Sequence, residues 1–242
     1  MRQLFCLIIL MFGIPGQAVE ISATIKGIDG LKVEKVTNAY LNELALKPGL
    51  LIMDAATALT NEASQIQIHD LKTSKTVGKQ AFKAPSSCQH FATTQEPGRA
   101  LRGLYCFTGK GKGDSLQLYQ GKGKFAPILK TPNPITAIAG GYHRLFFLSG
   151  DAIYVLREGD KIRPVFVSSF LTGVRSMAFD GESDLLFLAT DKEVYSLRAG
   201  TLDLLVQGLG GNLAWIKSDL FVSNSSGVYR LPAVRDLLVV KK

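Results

Sequence analysis

Cysteine is scarce in this chain: three residues in 242, Cys6, Cys88 and Cys106, with no CxxC spacing. That argues against a catalytic thiol pair. Histidine is equally scarce: His69, His90 and His143. The repeat positions described below scatter these three, and one imidazole makes a poor zinc site, although His90 could join a softer metal. There is no GxSxG and no Ser-His-Asp arrangement, so the common hydrolase nucleophile is missing. The Gly- and Lys-rich GKGKGDS at 109–115 lacks the GxxxxGK[ST] order of a phosphate loop and reads as a flexible turn. No apolar run reaches the ~20 residues that a membrane-spanning helix needs. The 24 glycines follow no G-x-y period, which excludes collagen and implies many tight turns. With 46% hydrophobic and 20% charged residues the chain is no disordered segment and can build a sizeable core.

What is present begins with an address. Met1-Arg2 opens the chain with a positive charge, Leu4 to Ile14 is apolar throughout, and Pro15-Gly16 breaks any helix. Gly16 and Ala18 offer small residues to a signal peptidase, so residues 1–18 read as a secretory signal cleaved after Ala18. Residues 19–242 would form one domain. The expected location is exported, periplasmic or secreted, with no transmembrane segment in the mature chain. Cleavage removes Arg2, leaving 27 basic against 20 acidic residues, about +7. Such a surface favours an anionic partner, for instance a cell-surface polymer, and export disfavours nucleic acid. Asn224-Ser225-Ser226 is formally a glycosylation acceptor. Cleavage also leaves two cysteines, Cys88 and Cys106, each nine residues from Pro97. In an oxidising compartment they pair across a hairpin, contributing about 3 kcal/mol.

The remainder repeats itself. ITAIAGGYHRLFFLSGDAIYVLREGDKIRPVFV, VRSMAFDGESDLLFLATDKEVYSLRAGTLDLLV and GNLAWIKSDLFVSNSSGVYRLPAVRDLLVV share an apolar-Ala pair, a turn and an LFF, LFL or LFV strand. Eight residues after the Leu (Leu145, Leu186, Leu220) starts IYVL, VYSL or VYRL, and a last apolar run ends each unit. Each unit is four short strands. Two looser copies precede them: NELAL…KQAF, with an eight-residue insertion before its third strand, and CQHFATT…APIL. The shared alanines are Ala45, Ala92, Ala139, Ala178 and Ala214, at intervals of 47, 47, 39 and 36. A four-strand repeat of this period predicts an all-β fold, a β-propeller of five or six four-stranded blades. Small alanines suit first strands that converge on an axis. ISATIKGIDGLKVEKV reads as an N-terminal hairpin around Asp29-Gly30, a partial blade or the closure of the ring. An open sheet or β-sandwich is the competing architecture.

Propeller topology places candidate site residues at one mouth of the ring. Two residues before each alanine stand Glu43, His90, Ala137, Ser176 and Asn212. The ends of the second strands add Asp54, Thr108, Ser149, Thr190 and Asn224. The blade pattern in GNLAWIKSDLFVSNSSGVYRL and VRSMAFDGESDLLFLATDKEVYSL resembles the superfamily of regucalcin/gluconolactonase, strictosidine synthase-like and NHL-repeat propellers. For the gluconolactonase group the resemblance implies a divalent cation held by a Glu, an Asn and an Asp. Glu43 and Asn212 sit at plausible positions, and with Asp54 they make an oxygen-rich set suited to calcium; the competing reading is that these are strand-end and turn polar groups satisfying local backbone. The group's Glu-Gly-Pro is Glu43-Leu44-Ala45 here, and its Asn-Gly is Gly211-Asn212. Asp180 matches the common turn aspartate. Two functions follow. One is a binding module for a small ligand or protein partner, seated at Glu43, Asp54, His90, Asn212 and Asn224. The alternative is a metal-dependent lactonase or esterase whose metal ligands are Glu43, Asp54 and Asn212, with His90 nearby.

Overall fold

The computed structural model describes residues 25–47, 50–52, 57–62, 65–76, 82–83, 88–93, 104–108, 115–122, 124–157 and 162–239. The secretory signal expected at 1–18 lies outside them. Chain order begins with two short strands, β1 (Lys26–Gly27) and β2 (Glu34–Lys35), and helix α1 (Ala39–Leu44). Blade one holds β3 (Leu51–Ile52), β4 (Thr57–Glu62), β5 (Gln65–Asp70) and β6 (Lys75–Thr76), with β7 (Phe82–Lys83) also on β5. Blade two holds β8 (Cys88–Thr93), β9 (Leu104–Thr108), β10 (Ser115–Gly121) and β11 (Lys124–Lys130). Blade three holds β12 (Ile135–Gly141), β13 (Arg144–Ser149), β14 (Ala152–Arg157) and β15 (Arg163–Val167). Blade four holds β16 (Ser176–Asp180), β17 (Leu185–Ala189), β18 (Glu193–Arg198) and β19 (Thr201–Gln207). Blade five holds β20 (Asn212–Ile216), β21 (Asp219–Asn224) and β22 (Gly227–Leu231), and the chain goes on to helix α2 (Val234–Val239). The fold is a five-bladed β-propeller of antiparallel sheets.

Burial explains why these strands read as nearly continuous apolar runs. A middle strand has a neighbouring blade on each face, so alternation is weak. All five residues of β16 and of β17 are buried, whereas the outermost strand β15 is almost wholly exposed. The core is divided among the blade junctions. One apolar cluster joins blades one and two around Leu59, Phe91 and Leu104. Others join two to three (Phe107, Ile138), three to four (Leu148, Met177, Phe179) and four to five (Phe187, Leu213, Val222). The last closes five against one through Ala58, Ala214 and Val228.

The N-terminal stretch is not a hairpin. The turn at Asp29-Gly30 is there, but β1 pairs with the outer edge of β19 and β2 with the outer edge of β22. In register, Glu34 faces Arg230 and Lys35 faces Tyr229. The fourth strand of blade five therefore comes from the N-terminal side of the ring, and the count is five blades, not six. For the same reason the described part of the final apolar run, Leu237–Val239, is no strand. The β22 edge is already taken, and the chain turns at Ala233 (φ 51°) into α2.

Blade one departs from the expected register. Of NELAL, Asn42, Glu43 and Leu44 lie in α1, Ala45 is its C-cap and Leu46 is in the turn that follows, so none of it forms a first strand. Asn38 caps the helix by accepting the Leu41 N–H at 3.0 Å, and the i, i+3 pair Leu41 and Leu44 turns its buried face to blades five and one. Asn42 on the same helix clasps the closure, accepting from Val228 N at 2.7 Å and donating to Val36 O at 2.8 Å. The first strand of blade one is Leu51–Ile52, so no eight-residue insertion is needed.

Cys88 and Cys106 form the expected disulfide across β8 and β9, with Cα atoms 5.7 Å apart. They are not directly opposed: Cys88 pairs with Thr108 and Cys106 with Phe91, with a bulge between.

Candidate functional site

The five first strands, β3, β8, β12, β16 and β20, line a central channel. Four of the five expected alanines, Ala92, Ala139, Ala178 and Ala214, form its wall; in blade one Leu50 and Leu51 stand there instead of Ala45. Small side chains keep the axis open: the cavity there is about 110 Å³, room for several waters or a small ligand group.

At the mouth the structure brings His90, Ser176 and Asn212 together with Ala137. His90 stacks on Phe107, ring centroids 5.5 Å apart, and burial holds its imidazole below the ordinary value of 6.5. Ser176 Oγ accepts the Leu213 N–H at 2.9 Å and so ties β16 to β20 across the blade junction. Asn212 follows Gly210-Gly211, where the connector passes close to blade four. A Cβ on Gly210 would stand 2.2 Å from Thr190 O, and Gly211 has φ +138°. Arg175, one residue before the expected Ser176, is exposed and also lines the mouth. The repeat register pointed one position beyond it.

The other expected site residues are elsewhere. Glu43 is exposed on α1 and does not line the channel. Asp54 lies outside the described residues. Asn224 is used locally, donating to Gly210 O at 2.9 Å and accepting from Ser226 N at 2.9 Å. Its second-ring companions do the same. Ser149 Oγ donates to Asn133 O at 2.9 Å, and Thr190 Oγ1 accepts from Glu193 N at 3.0 Å. One strand further from the axis, these groups satisfy turn backbone rather than face the channel.

The described residues by themselves do not fit a divalent cation. Of the two expected ligands that are described, Asn212 reaches the channel and Glu43 does not, and no Asp or Glu is among the described residues that line it. No three His, Cys, Asp or Glu side chains among the described residues converge as a metal site. A hard cation needs several oxygen ligands, carboxylates above all.

The far end is aromatic, with Tyr142, Phe179 and Trp215. Tyr142 lies flat against Gly181, where a Cβ would come within 1.9 Å of its ring, and its hydroxyl donates to Glu182 at 3.0 Å. Asp180 is the turn former it was expected to be, accepting from Glu182 N at 3.2 Å and from Ser183 Oγ. It is also fully buried and bidentate to Arg235 of α2, at 2.6 and 2.7 Å. The guanidinium adds Glu182, Lys217 O at 2.9 Å and the face of Trp215 at 5.5 Å. The Asp180 hydrogen bond raises the Arg235 pKa above its ordinary value.

No protein-family model matches the chain, and no curated protein sequence matches it. Solved structures do. A gluconolactonase from Xanthomonas campestris superposes with a TM-score of 0.55 at 14% identity, over 80% of this chain and 74% of that one. The calcium-binding protein regucalcin from Agrobacterium tumefaciens gives 0.53 at 12% identity, over 75% and 74%. A chain of a nidogen/laminin complex gives 0.52 at 14% identity, over 71% and 74%. The chain shares their propeller fold. At such identities the likeness carries the fold and not the chemistry, and the three differ in what they do.

No helix among the described residues is long and apolar enough to cross a membrane.

Proposed function

We propose that this chain is an exported binding module whose ligand enters the mouth of the central channel. One observation carries the reading: the mouth gathers Arg175, Ser176, Asn212 and His90 over an alanine-lined wall, with no carboxylate among its described lining residues. These are recognition groups in an otherwise apolar recess, the usual composition of a ligand seat. Export rests on the leader at residues 1–18 and agrees with the Cys88–Cys106 disulfide.

The structural likeness to a gluconolactonase favours the rival reading, a metal-dependent hydrolase of lactones or esters. Metal analysis of the purified mature protein, paired with a lactone and ester hydrolysis assay, separates the two. The binding module is expected to purify without stoichiometric metal and to show no turnover. Stoichiometric calcium or zinc that is lost in Asn212→Ala, together with turnover, overturns it. Sequencing the N-terminus of the exported protein is expected to begin at Val19.

A further inference from the structure

The mouth of the channel is lined by donors with no acidic counterpart among the described residues. Arg175 is exposed there and makes no ion pair among those residues. Arg144, Arg230 and Arg235, by contrast, are each held by a carboxylate. Ser176 Oγ already accepts the Leu213 N–H, which leaves its own proton to donate. The Asn212 carboxamide makes no hydrogen bond to the described residues, and its NH₂ offers two more donors. His90, kept neutral by burial, adds a ring nitrogen. Below this collar the wall is apolar, with Ala92, Ala139, Ala178 and Ala214, and Trp215 lies further down. The sign of the site is opposite to that of a cation site. The basic excess of the mature chain, 27 basic against 20 acidic residues, draws the same class of ligand toward it.

We infer that the mouth binds a small organic anion, its carboxylate head on Arg175, Ser176 and Asn212 and its apolar tail directed down the alanine wall toward Trp215. Guanidinium and carboxylate match in geometry as well as charge, and the pairing is strengthened by the recess. This inference rests on the reading of the channel as a ligand seat.

Trp215 is the only tryptophan in the chain, so its emission reports the channel directly. The mature protein is titrated with straight-chain carboxylates from acetate to octanoate and with the alcohols of matching length, a chelator being present throughout. A saturable change in Trp215 emission is expected for the best carboxylate at a concentration about tenfold below that of its alcohol. Arg175→Gln is expected to abolish that advantage, weakening the carboxylate about tenfold and the alcohol much less. Arg175 is exposed, so the variant should melt with the wild type; Asn212→Ala, run in parallel, should weaken the carboxylate about threefold and keeps the test decisive if the first variant fails to fold. Equal binding of carboxylate and alcohol, or a carboxylate response that survives both substitutions, overturns the anion assignment while leaving the channel as a ligand seat. A response to neither series overturns both.

Discussion

Asp180 shows how a turn residue can acquire a second duty. Its type and position mark it as a turn former, and it is one, yet its carboxylate is fully buried and answered by Arg235, which is 55 residues away in sequence. Removing one partner of a buried pair leaves the other uncompensated. Arg235→Ala is therefore expected to destabilise the fold by about 3 kcal/mol, read as a lower urea midpoint at unchanged slope. His90 gives a pH effect of defined sign. Burial lowers its folded pKa below the ordinary 6.5 that it regains on unfolding. Between that folded value and about 6.5 the unfolded chain binds more protons, so stability rises with pH across this window and is lost on acidification through it. The melting temperature of the wild type should fall further between pH 7.5 and 5.5 than that of His90→Gln. An equal fall in both would show that His90 does not carry the effect.

Single elements carry the next level of organisation. Blade two is closed by the disulfide between its first two strands, its half-cystines 18 positions apart in sequence. A loop of that size should contribute about 3 kcal/mol through the unfolded state. The double variant Cys88→Ala, Cys106→Ala is expected to lose that much, and dithiothreitol should lower the wild-type melting temperature without affecting the variant. Helix α1 is the element that the repeat concealed. Leu44-Ala45 satisfies a loose apolar-Ala template as readily as Leu41 and Leu44 satisfy a helix spacing, and the template placed Glu43 at the mouth. The Asn38 cap and the pairing of Leu51 with Leu59 decide otherwise. A two-residue inner strand such as Leu51–Ile52 leaves almost no periodic signal.

At the scale of the ring, stability depends on a closure that local sequence does not reveal. β2 completes blade five and β1 widens blade four, while Asn42 pins the join. A chain that starts at Thr37 lacks both strands and leaves the β22 edge unpaired. It is expected to lose its single cooperative unfolding transition, whereas a chain that starts at Val19 keeps it; calorimetry of the two reads the difference. Retention of a full-sized transition by the shorter chain would show that the join is dispensable.

The repeat in the sequence was enough to determine the propeller, the alanine column in four of the blades, the cysteine pair, and the strand starts that bring His90, Ser176 and Asn212 to one mouth. Those features are periodic or local, and each recurring unit forms the same sheet. Only the tertiary structure decided that there are five blades, that Leu237–Val239 is helical because β2 already holds the β22 edge, that Glu43 and Asn224 do not line the channel, and that Arg175 reaches it with no ion-pair partner among the described residues. Each of these is an outcome of competition for edges and partners among segments far apart in the chain, and such competition leaves no pattern in the segments themselves.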